Sequence, residues 1–140
     1  MGLRADILAF AHSHTGSKKE CAGQDDLLGV FGLDGDDASE FLEDYAARFG
    51  VDLAPMRWEF HYNADEPPYG RRVLPVGGDG NVIPWQPITL DDLVTAAEAG
   101  RWVWDYPEHQ LRYASQAWIP VRFLVVLVSA YLAWDWFWSG

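Results

Sequence analysis

Residues 63 to 88, "NADEPPYGRRVLPVGGDGNVIPWQPI", constrain the fold more than any other stretch, because proline and glycine punctuate it from end to end. A helix cannot run through Pro67, Pro68, Pro75, Pro84 and Pro87, and a central strand would lose ladder donors at the same positions. Any helical unit must therefore be assembled from the segments on either side, with this stretch carried as a long connection. Within it, "RVLPV" and "NVIPW" flank "GGDG" as two short arms around a turn, at best a small edge hairpin.

The flanking segments read as helices. Leu3, Ile7, Phe10 and Ala11 recur at helical spacing, which predicts an amphipathic helix over residues 3–14 that stops near Thr15-Gly16. A polar loop follows, and its apolar cluster of Leu27, Leu28, Val30 and Phe31 suits a segment that lies across a core and covers it. A second helix is expected from about Asp36 to Phe49, with Ala38, Phe41, Leu42, Tyr45 and Phe49 on one face and Gly50 as its stop. "MRWEFHY" reads as one more helical turn or a short irregular piece. Thr89 can cap a last helix with Asp92 three residues on, and Leu90, Leu93, Val94 and Ala97 form its apolar stripe before Gly100. The expected class is all-α: a small helical bundle over residues 1–105 with 63–88 inserted as a loop, followed by a linker over 106–117.

Residues 118–138 form a separate hydrophobic segment, without a charged residue from Phe123 to Trp134. A helix from Val121 to Trp138 would be roughly 27 Å long at about 1.5 Å per residue, close to the roughly 30 Å of a bilayer's hydrocarbon core. Trp118 at one boundary and Trp134, Trp136 and Trp138 at the other resemble aromatic belts, with Arg122 and Asp135 near the ends. Arg112 and Arg122 precede the run that starts at Phe123 and no basic residue follows it, so the expectation is a single-pass inner-membrane tail anchor with the body in the cytoplasm. The alternative is a soluble cytoplasmic protein whose last helix is buried against the body, which suits an uninterrupted run of only 12 residues. No export signal is expected, because Arg4 and Asp6 break the N-terminal apolar stretch, and Asp6 also stands where a myristoylation motif needs Ser or Thr.

Charge narrows the partners. The chain of 140 residues carries 10 basic against 21 acidic side chains, a formal charge of -11, which argues against nucleic acid and against adhesion to an anionic lipid surface by charge. Cys21 is the single cysteine, so neither an internal disulfide nor a cysteine-rich metal site is possible. His12 and His14 would point about 200° apart on a helix and cannot chelate one ion, while His61 and His109 have no signalled partners. A calcium loop starting at Asp34 fails at Ala38 and Ser39. Neither a metal, nor a cofactor, nor a catalytic constellation is expected.

The order of elements, helix, long loop with an apolar cluster, acidic helix, short third element and final helix, resembles acyl carrier proteins from Leu3 to about Ala99. "FLEDYAARFGVDL" resembles the second half of the carrier's second helix, and "ITLDDLVTAAEAG" is similar to its last one. The sequence also resembles an uncharacterised bacterial family of carrier-like proteins. In carriers an Asp-Ser-Leu turn opens the second helix, and its serine is esterified by phosphopantetheine. Matched residue by residue, Asp34 falls on the aspartate, Gly35 on the serine and Asp36 on the leucine, so the resemblance implies a domain that has lost its attachment site. Ser39, the nearest hydroxyl, lies about one turn too late. The acids Asp34, Asp36, Asp37, Glu40, Glu43 and Asp44 resemble the surface that carriers present to a basic patch on a protein partner. They also suit a helix N-terminus with no partner at all, with Asp34 or Asp36 as N-cap.

The function expected is thus a non-catalytic, degenerate carrier-like domain acting by protein contact at the cytoplasmic face of a membrane. Two alternatives stand beside it: an active carrier with a shifted serine, and a small membrane accessory or immunity protein.

Overall fold

Three amphipathic helices supply most of the core, each through the spacing of its apolar residues. The computed structural model describes residues 2–63, 71–114 and 118–139. Helix α1 (Leu3–Thr15) buries Ile7 and Ala11, four apart on one face. The covering loop forms a single turn, α2 (Leu27–Val30), which pushes Leu27 and Leu28 into the interior. Helix α3 (Gly35–Phe49) buries Ala38, Phe41, Leu42 and Tyr45 and turns its acids outward. Helix α4 (Leu90–Ala99) is opened by a capping box: the Thr89 side chain accepts from Asp92 N, and Asp92 accepts from Thr89 N. Leu90, Leu93 and Ala96 form its buried stripe.

α1, α3 and α4 all end on a glycine with positive φ, at Gly16, Gly50 and Gly100. The last two meet: Asp52 N donates to Gly100 O and Trp102 N donates to Asp52 O, a short parallel bridge that seats Trp102 in the core at 2% exposure. The Tyr45 hydroxyl donates to Leu93 O over 2.6 Å and ties α3 to α4, and its burial pushes its pKa upward. Burial of each large apolar side chain here contributes about 1.5–3 kcal/mol. Phe41, fully buried and packed on Phe10 and His14 of α1, therefore holds α3 in place more firmly than any surface charge.

The chain is not all-α, contrary to the sequence expectation. Strand β1 (Val73–Val76) pairs antiparallel with β2 (Gln110–Tyr113), in register from Val73 opposite Tyr113 to Val76 opposite Gln110. The fold is mixed α/β, with β2 inside the segment expected to be a linker. The anticipated hairpin arm survives only as a bridge between Val76 and Val82. Pro75 is tolerated because its carbonyl faces that weaker side, accepting from Ile83 N over 2.8 Å, so the donor it lacks is missing there and not from the ladder to β2. Residues 64–70 of the long connection lie outside the described residues.

The C-terminal segment is helical, α5 (Trp118–Ser139), but the expected membrane span does not hold. Among the described residues no helix is long and apolar enough to cross a membrane. The charge-free run, residues 123–134, reaches only about 18 Å at about 1.5 Å per residue, well short of roughly 30 Å, and Asp135 ends it. The single-pass inner-membrane placement and attachment to a membrane through this helix fall with it. Neither does the helix wrap the body, because the side chains from Val125 to Trp138 are exposed.

Candidate functional site

Two regions gather chemistry-bearing side chains, one foreseen from the sequence and one not. The first is the start of α3. Asp34 is the N-cap, and its Oδ1 accepts from Gly35 N over 2.9 Å. Gly35 is buried and has φ +56, a conformation that costs an L-residue about 1–2 kcal/mol. The turn therefore lacks a hydroxyl and also holds its backbone where a serine is strained. Asp36, Asp37, Glu40, Glu43 and Asp44 are all exposed, and their steps of one, three, three and one residues keep them on the solvent side of α3. Of these, Asp44 lies 3.4 Å from His14 Nδ1. Ser39 is half-buried, and its hydroxyl donates to the Tyr62 hydroxyl over 3.4 Å.

The second region lies between the long connection and the stretch after α4. His61 Nδ1 is 2.8 Å from Gln86 O, and since a carbonyl only accepts, Nδ1 carries a proton. Burial holds the His61 pKa below the usual histidine value, against the opposing pull of the Gln86 carbonyl and the charges of Asp92 and Glu59. The ring is thus neutral, and Nε2 accepts from the Tyr106 hydroxyl at 2.6 Å. The Tyr106 oxygen in turn accepts from Trp102 Nε1 over 2.8 Å. Trp104 stacks between Trp102 and Tyr106, with ring centroids 5.8 and 6.3 Å away. With both nitrogens occupied and the ring buried, His61 is a structural strut and not a free base.

Beside it, buried Glu59 faces His109 Nε2 at 3.6 Å, while His109 Nδ1 donates to Pro107 O. The Arg71 guanidinium lies 4.4 Å over the Trp85 ring and donates to Ile83 O and Glu59 O. It thereby clamps the 3-10 turn at Trp58–Phe60 to the arm after Asn81.

His61 and His109 thus have partners that sequence reasoning did not supply. One signal was available: "WVWDY" places Trp102, Trp104 and Tyr106 two apart, the period of an extended strand, which stacks all three rings on one side. Cys21 is a free thiol, buried in the loop between α1 and α2. Burial pushes its pKa up, and Asp25 and Asp26 push the same way, so the nearby lysines do not activate it. His12 and His14 diverge as expected, His12 to Lys19 O and His14 to Asp44. Among the described residues no three metal-ligating side chains converge.

Neither a curated protein nor a solved structure matches the chain. The model of one family does, over residues 5–105, which ends one residue before Tyr106 and leaves β2 and α5 outside it. That span exceeds half of the chain, and the protein accordingly belongs to the family described as Protein of unknown function (DUF1493).

Proposed function

We propose that the chain is a carrier-like contact module that presents the acidic side of α3 to a basic protein partner and bears no prosthetic arm. The observation that carries this reading is the run of five exposed carboxylates, Asp36, Asp37, Glu40, Glu43 and Asp44, on one side of one helix. A single-sign surface of this kind speeds encounter with a basic partner and selects against acidic ones. The order α1, covering loop, α3, short 3-10 turn and α4 supports the carrier likeness, although no comparison links the chain to acyl carrier proteins. Gly35 supports the absence of the arm, and the half-buried Ser39, engaged with Tyr62, is a poor substitute. On this reading the protein performs no reaction itself.

The test compares capture of binding proteins by the full chain and by a variant carrying Asp36→Asn, Asp37→Asn, Glu40→Gln and Glu43→Gln. A control variant neutralises the exposed Asp25, Asp52, Glu98 and Asp105 instead. The proposal expects a salt-sensitive partner that is lost with the first variant and kept with the second. Equal retention by both variants would exclude α3 as the contact.

A further inference from the structure

The cleft between the Gly77–Gly80 turn and the segment leading into β2 reverses the charge of the rest of the protein. It encloses about 1030 Å³ and is lined by Arg57, Arg112 and His109, with Glu108 the one carboxylate among its described lining residues. The clefts bordering α3 are acidic by contrast, one of about 730 Å³ holding Asp26 and Asp34 and one of about 400 Å³ holding Asp37 and Glu40.

Two acids beside the cleft, outside its lining, are already engaged. Asp79 at the turn accepts from Asn81 N and Asn81 Nδ2, and Glu59 lies buried against His109 Nε2. Neither Arg57 nor Arg112 forms an ion pair among the described residues. Both line the one cleft, which leaves their guanidinium donors open to a ligand. Val76, Tyr106, Pro55 and Pro107 give the wall an apolar and aromatic part, beside Gln110 and the backbone of the glycine turn.

We infer that this cleft binds a small organic anion. Arg57 and Arg112 engage its phosphate or carboxylate group, in which a pair of acceptor oxygens matches the guanidinium fork. Tyr106 and the two prolines cover the apolar part. The site shares no residue with the acidic side of α3, so the two proposals stand or fall separately.

Calorimetric titration of the full chain with phenyl phosphate, benzoate, inorganic phosphate and phenol tests this, with amide chemical shifts locating the site. The inference expects saturable binding of phenyl phosphate or benzoate, tighter than inorganic phosphate or phenol, with shifts at Gly78, Tyr106 and His109. Which of the two ring anions binds more tightly identifies the headgroup. Arg57→Gln and Arg112→Gln should each weaken binding by about tenfold or more, and Arg101→Gln, exposed and outside the cleft, should leave it unchanged. Both arginines are exposed, and unchanged urea midpoints would show that the variants stay folded. Saturable binding by none of the anions, or binding indifferent to both arginine variants, overturns the inference.

Discussion

The Nε2 of His61 accepts from the Tyr106 hydroxyl at 2.6 Å, and this bond joins the end of the 3-10 turn at Trp58–Phe60 to the aromatic run after α4. The same hydroxyl oxygen accepts from Trp102 Nε1, so one atom satisfies two buried partners. Tyr106→Phe keeps the ring and removes both bonds. Leaving a buried donor and a buried acceptor unmatched costs about 1–3 kcal/mol, and urea denaturation should show a fall of that size with little change in slope.

The His61 pKa is lowered in the folded state, chiefly by burial. The folded protein therefore binds a proton less readily than the unfolded chain, whose histidine titrates near about 6.5. The sign follows directly: this contribution to stability is fully present above about pH 6.5 and is lost as pH falls through the depressed folded value. A series of urea midpoints from pH 7.5 down to 5 should decline more steeply for the parent protein than for His61→Leu. The difference between the two curves isolates His61 from the other three histidines and from the carboxylates.

Gly35→Ser restores the hydroxyl that carriers use but places a side chain at φ +56. The variant should lose about 1–2 kcal/mol of stability from the left-handed backbone. Co-expression with a phosphopantetheinyl transferase, read by intact mass, should leave the parent protein unmodified. An added arm on the parent would locate a working serine and end the degenerate reading.

Thr89→Ala removes the capping-box acceptor for Asp92 N. A loss of about 0.5–2 kcal/mol is expected, the usual range for an N-cap threonine. Thermal unfolding followed at the buried Trp102 should report it, because α4 leads directly into that residue.

The helices were legible because their signals are local. Phe41 and Tyr45 at four-residue spacing, Thr89 with Asp92, and Gly50 and Gly100 at the stops each act within a turn or two of chain. The sheet was not legible: Val76 pairs with Gln110, far along the chain, and "QLRY" is exposed along its whole length and shows no alternation of buried and exposed residues. The α3 acids were readable as a cluster, and the structure adds that they share one exposed side. The partners of His61 and His109 depend on how the connection folds back over the 3-10 turn, which no nearest-neighbour pattern encodes. At α5 the apolar pattern was read as a span, and the short run between Arg122 and Asp135 is what that reading underweighted.

The central claim is that the acidic side of α3 meets a basic partner, and carboxyl-to-amine zero-length cross-linking in a lysate, mapped by mass spectrometry, tests it most directly. The account predicts cross-links to partner lysines concentrated on Asp36, Asp37, Glu40, Glu43 and Asp44, and abolished by added salt. Cross-links spread evenly over Asp25, Asp52, Glu98 and Asp105 as well, or absent from residues 36–44, would contradict it.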